Sequence, residues 1–228
     1  MRTIFYVAFH FYSFQVLLIV PSNLPFPPSN TVKHSIYDNS LEMDYAEKNI
    51  IPKCLSGSRW EVIQQSKMWI DVLVSFCISI TKHVKKHQEE LKEFDLLFGD
   101  SPPACHVIIA EFLALPRIDI EPAFPMRLKP ELSLVSYIPS LLSSNSAEMS
   151  FMERLQNLFF FGVMKRSEMY FSTRYGELKT EFNIMPERHF QVSIHMAEMT
   201  IIMGHFALEY PQPLLPGITT HTQLLLHI

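Results

Sequence analysis

Residues Phe94–Ile120 read FDLLFGDSPPACHVIIAEFLALPRIDI, and the reading of this stretch decides the fold. Phe94 to Phe98 is a short apolar run closed by Gly99 and Asp100. Pro102 and Pro103 mark a turn, Ala104 to Leu113 carries apolar residues at helical spacing, and Pro116 restarts an extended run. The order is strand, turn, helix, strand. Strands joined through a helix lie parallel with a right-handed crossover, and parallel sheets take ligands in the crevice beyond the carboxyl ends of their strands. Asp100 stands at such an end.

Upstream, Ser58 is placed to cap a long helix in which Trp60, Ile63, Ile70, Leu73, Val74, Cys77, Ile80 and Val84 recur at three and four residues, so one face is expected to be buried. Lys82, Lys85, Lys86, Glu89, Glu90 and Lys92 form a mixed-sign, solvated face near its end. His83 and His87 stand four apart there, a spacing that can grip a metal. No Glu completes an HExxH pattern and no third ligand is signalled, so no metal is expected. Pro21 to Asn30 reads as a loop with four prolines. Before it, Ile4 to Val20 is almost uncharged. After Arg2 it has the look of a secretory signal or anchor without a small-residue cleavage site, while Gln15 to Val20 also reads as a buried strand; periodicity leaves both open.

The whole chain, 228 residues with 48% apolar and 18% charged residues, suits one domain with a real core and something apolar to cover or bind. A net charge of −4 gives no basic footprint, so nucleic acid is not an expected partner. Cys54, Cys77 and Cys105 are odd in number, far apart and in no CxxC motif. Three small buried thiols are expected.

Downstream, Glu121 to Ser146 is rich in Pro and Ser, including Pro122, Pro125, Pro130 and Pro139, and connections of this length tend to line pockets. Ser150 and Glu153 make a capping box for a helix with Phe151, Leu155, Leu158, Phe159 and Val163 on one side, and the Phe159 to Phe161 run can serve as both core and ligand box. A second helix is expected over Arg174 to Phe182. Asn183 and Pro186 break it, with Pro186 opening a third through about Ala197. Met199 to Met203 reads as a strand, and the prolines of Phe206 to Gly217 forbid helix.

FDLLFGD (94–100), AEFLALPRIDIEP (110–122), SYIPSLLSSNSAEMSFMERLQNLFF (136–160), EFNIMPERHF (181–190) and FALEYPQPLLPG (206–217) resemble, in order, landmarks of the amino-terminal half of the animal UDP-glycosyltransferases, the UDP-glucuronosyltransferase family. The resemblance covers residues 16–218. It implies an α/β fold, a Rossmann-like parallel sheet flanked by helices, corresponding to the acceptor-holding N-terminal domain of a GT-B glycosyltransferase and incomplete at both ends. The implied division is an apolar segment at 1–20, the acceptor domain at 21–217 and an off-family tail at 218–228.

The implied chemistry is inverting transfer from a UDP-sugar to a small lipophilic acceptor. A His takes the acceptor's proton while an Asp orients and charge-stabilises that His. Asp100 matches the Asp by its place in FDLLFGD, although taken alone it reads as a helix cap before Pro102 and Pro103. Phe124, Pro125, Phe159 and Phe160 are the expected acceptor-binding residues.

The sequence departs from the family at the base. No Gly-Ser-His-Trp-like motif appears; Gly57, Ser58, Arg59 and Trp60 imitate it with an Arg, which stays protonated. His10 lacks the motif, and His106 reads as a capping or packing residue. A Gly-rich diphosphate signature is not found among only six glycines, so the UDP-sugar is an expected co-substrate without a site here, and no cofactor is expected. The reading is of a truncated form, inactive alone, in or on the endoplasmic reticulum membrane by family. Its alternative is a non-catalytic module that binds lipophilic ligands or associates with full-length family members.

Overall fold

The computed structural model describes residues 16–22, 32–38, 45, 48–49, 58–100, 104–122, 135–140, 143, 145–203 and 216–220. Phe124 and Pro125, His10, Cys54 and Gly57, and most of 206–217, lie outside them.

Strands β1 (Val16–Pro21) and β2 (Val32–Tyr37) pair in parallel, Val16 opposite Val32 and Pro21 opposite Tyr37. Gln15 to Val20 thus carries a strand, and β2, polar in its sequence KHSIY, was not expected. Helix α1 (Arg59–Lys86) follows. Ser58 accepts from the Glu61 amide, and the Glu61 carboxylate accepts from the Ser58 amide. Ile70, Leu73, Val74, Cys77, Ile80 and Val84 are buried as the spacing predicts. Trp60 departs from that stripe at 62% exposure, because it lies in the first turn, ahead of the packed part of the helix.

After the single turn α2 (Gln88–Leu91) come β3 (Leu97–Asp100), α3 (Cys105–Leu113) and β4 (Arg117–Pro122). The expected strand, turn, helix, strand order holds, with the strand shifted to include Gly99 and Asp100. Helix α4 spans Phe151–Glu181, α5 Phe190–Ile194, β5 Met199–Met203 and β6 Ile218–Thr220. Strands β3, β4, β5 and β6 form one sheet in that order, all parallel. This is the α/β arrangement of parallel sheets and helices that the sequence leads one to expect.

Three expectations are corrected. Cys77 and Cys105 are joined in a disulfide 28 residues apart, so they are not free thiols; the crossing of α1 and α3 brings their Cα atoms to 5.1 Å, within bridging reach. The two helices expected over 150–182 are one helix of 31 residues, because its polar middle is held from outside: Asp71 of α1 accepts from the Tyr170 hydroxyl at 3.0 Å and from Arg174 Nε at 2.8 Å. The helix expected from Pro186 is only five residues long. Asn183, at φ 55°, closes α4 with amide bonds from Asn183 to Thr180 O and from Ile184 to Lys179 O, and the chain turns until the His189 ring caps α5.

One apolar cluster binds these parts. It joins Leu17 and Ile19 of β1, Tyr37 of β2 and Leu97 of β3 to residues of α1, α3, α4 and α5. Within it the rings of Phe171, Tyr175 and Phe190 lie 4.3 to 5.8 Å apart, fastening α5 to the second half of α4. The first half of α4 is different: Phe151, Leu155, Leu158 and Phe159, which share one side, are each more than half exposed. Asn157 is buried instead, donating to the carbonyls of Val135 and Ile138 and accepting from the Ser140 amide, which ties this turn to residues 135–140.

Candidate active site at the end of β3

Asp100 closes β3, opposite Ile120 of β4, and β3 is the outer strand of its sheet among the described residues. Residues paired in register share a face and neighbours along a strand alternate. Gly99, Asp119 and Thr200 therefore lie on one face, and Phe98, Asp100, Ile118, Ile120 and Ile201 on the other. Asp100 and the apolar residues of its face are all partly exposed. Asp100 thus sits at a carboxyl-end rim beside half-covered hydrocarbon.

The opposite face is closed. Helix α3 starts at Cys105 behind Ala104, which takes a left-handed conformation at φ 62°, and its second residue lays the His106 ring on Gly99. A Cβ at Gly99 would come within 2.2 Å of that ring, so the close approach requires glycine. His106 Nε2 reaches to 3.3 Å from Asp119 Oδ1. Arg117 Nε donates to the same oxygen at 2.7 Å, and its Nη2 donates to the carbonyls of Ser193 and Ile194 at 2.8 and 2.6 Å. Arg117 therefore binds Asp119 and the carboxyl end of α5 at once. Burial pushes the Asp119 carboxyl up, but His106 and Arg117 outweigh burial and hold it below the usual carboxylate value.

The molecule thus contains an imidazole beside a carboxylate, the pair that acyl or glycosyl transfer needs, yet not at the rim. His106 and Asp119 are 2% and 1% exposed, and no substrate reaches them. The expectation that His106 packs is met. A second buried charge cluster lies beyond it: Lys179 Nζ stands 2.7 Å from Glu111 Oε2 and donates to Arg188 O and Ser193 Oγ. These pairs tie α3, α4 and α5 together, and sequence spacing gives no sign of them because the partners are tens of residues apart.

Of the two expected acceptor residues that are described, Phe160 is buried and Phe159 is 55% exposed, with ring centroids 5.6 Å apart, so of this pair Phe159 offers a surface. Among the described residues no group of three or more His, Cys, Asp or Glu could hold a metal, and no helix is long and apolar enough to cross a membrane.

A family model described as UDP-glucoronosyl and UDP-glucosyl transferase matches residues 21–225. The chain belongs to this family. The matched range includes strand β6, Ile218–Thr220. Similar proteins include UDP-glucuronosyltransferase 2B19 of Macaca fascicularis, 29% identical over 68% of this chain and 31% of its own length. UDP-glucuronosyltransferase 2B28 of Homo sapiens is 26% identical over 89% of this chain and 42% of its own length. UDP-glucuronosyltransferase 1A6 of Mus musculus is 30% identical over 65% and 29%. The chain therefore spans at most about two fifths of these relatives. No solved structure matches.

Proposed function

We propose that this chain holds the acceptor for glycosyl transfer from a UDP-sugar, and that Asp100 is the carboxylate that orients and charge-stabilises the imidazole base. One observation carries the reading: Asp100 ends the strand that is outermost among the described residues, on the same face as partly exposed Phe98, Ile118, Ile120 and Ile201. A small lipophilic acceptor lies against that hydrocarbon and presents its hydroxyl at the rim. The base removes the hydroxyl proton as the oxygen attacks the anomeric carbon, the bond from that carbon to the UDP oxygen breaks, and UDP leaves with inversion. Asp100 fixes the tautomer of the base and stabilises the imidazolium that forms. The base is not His106, which is engaged with Asp119 beneath the other face.

The chain by itself is inert on this reading. Purified chain mixed with UDP-glucuronate or UDP-glucose and a phenolic acceptor should release no UDP, and release abolished by Asp100→Ala would overturn the inert reading while supporting the role of Asp100. A chimaera in which residues 94–122 replace the matching stretch of a complete relative should transfer sugar. Asp100→Asn within it should lower kcat about a thousandfold or more. An unchanged kcat would remove Asp100 from the reaction.

A second reading, a non-catalytic module associating with complete family members, is favoured by the exposed side of α4, where Phe151, Met152, Leu155, Leu158 and Phe159 are 52 to 76% exposed. Co-expression with a complete relative tests it: co-purification with a changed transfer rate supports it, and separate behaviour with an unchanged rate removes it. The Cys77–Cys105 bridge supports folding in an oxidising compartment such as the lumen of the endoplasmic reticulum.

A further inference from the structure

Away from the rim, β2 and the last turns of α1 leave a groove of about 660 Å3 between them. The transfer reading makes no use of it. Its polar lining is Lys33, His34 and Ser35 from β2 and His83, Lys86 and His87 from the end of α1, with Glu90 of α2 the one carboxylate among its described lining residues. Two ammonium groups and three imidazoles therefore face a single acid.

The imidazoles are held rather than loose. His83 Nε2 lies 2.6 Å from Ser35 Oγ across the groove. His87 Nδ1 lies 2.9 Å from the His83 carbonyl oxygen, and since a carbonyl only accepts, Nδ1 carries the hydrogen. His87 Nε2 is then the ring nitrogen that carries the lone pair. The two rings lie 4.4 Å apart, so a proton on one opposes a proton on the other. Burial, with His87 and Lys86 adding to it, holds the His83 imidazole below its ordinary value.

A metal does not fit: the described lining assembles no three-ligand set, and its ammonium groups repel cations. An anion does. Negative charge between the rings and Lys86 offsets the repulsion between protonated rings, so anion and proton favour each other's binding to an equal degree.

We propose that this groove binds a small, doubly charged oxyanion of the sulfate or phosphate class, with uptake of a proton by the His83 and His87 pair. Titratable groups facing the pair are Lys33, His34 and Tyr37 from β2, Lys86 from α1 and Glu90 from α2. Lys33 and Lys86 attract the anion at every pH, and Glu90 opposes it.

Sulfate is the probe, because its charge is constant across the range and any pH dependence belongs to the protein. Titration into the full chain, followed by calorimetry and by the ring resonances of His83 and His87, should show binding about tenfold tighter at about pH 5.5 than at about pH 8. Chloride at equal ionic strength should not reproduce it. Lys86→Gln and His87→Gln should each weaken binding several-fold and Glu90→Gln should tighten it. Lys33→Gln, on the exposed side of β2, gives a variant on a separate element should changes in α1 disturb folding. Displacement of sulfate by vesicles of phosphatidic acid assigns the oxyanion to a lipid headgroup, and indifference assigns it to a free ion. Binding that ignores pH, or survives both Lys86→Gln and Lys33→Gln, would overturn the proposal, as would no binding at all. None of these outcomes bears on Asp100, so the transfer reading stands or falls separately.

Discussion

On the face of the sheet that α3 and α5 cover, Arg117, Asp119, Glu121 and Thr200 are buried, whereas on the other face Phe98, Ile118, Ile120 and Ile201 are only partly covered. The segment RIDIE of β4 alternates strictly, and the ordinary reading of such alternation puts isoleucine inside and charge outside. Here the assignment is reversed. Alternation specifies that two faces differ but not which is enclosed; that is decided by what packs above, in this case the α5 carbonyls that need donors and the His106 ring that needs the space over Gly99. The charged face is a structural interior, and the apolar face carries Asp100.

The sharpest way to break this contrast is Arg117→Ala. It strands Asp119 and two α5 carbonyls in the interior and should cost about 3–5 kcal/mol in urea unfolding; a loss no larger than that of an average surface change would show that the cluster is not holding α5. Gly99→Ala should come next, at about 1–3 kcal/mol, because the His106 ring has to move off the strand. Pairing it with His106→Ala should recover part of the loss, and strict additivity would deny the contact.

Acid supplies a smaller effect. Asp119 has a lowered value when folded, so its contribution is fully present above the unfolded carboxylate value, about 4, and is lost as pH falls below that toward the folded value. Unfolding measured from about pH 6 down to about pH 3 should show this limb, flattened in Asp119→Asn, itself less stable throughout. Least of all, Ile201→Thr on the open face should change stability by about 0.5 kcal/mol or less, while reducing the binding of an apolar dye. A core-sized loss there would mean that the face is enclosed after all.

Much of the fold was legible. Residues 94–122 could be read because Gly99, the prolines around 102 and Pro116 punctuate an otherwise apolar stretch, and both long helices announced their starts, one through Ser58 and the other through Ser150 with Glu153. What escaped depends on partners distant in sequence. The polar middle of α4 looked like a break because its support comes from Asp71, about a hundred residues earlier. Cys77 and Cys105 looked unrelated because their spacing carries no signature until α1 and α3 cross. At the site, the position of Asp100 was legible from its strand, but the face it occupies was not. The His106 and Asp119 pair escaped because one partner rides a helix and the other a strand, 13 residues apart along the chain, and only the covering of Gly99 brings them together.

The Cys77–Cys105 bridge carries a consequence for how the chain is made. Both cysteines are translated before the first residue of the helix at 151–181, an order that lets the clamp close ahead of that helix. Tyr175, whose hydroxyl ends 3.4 Å from the Cys77 sulfur, then arrives later and docks on a platform already locked. In a reducing cytosol the same helix would meet two unlinked neighbours, and vectorial synthesis would lose its order.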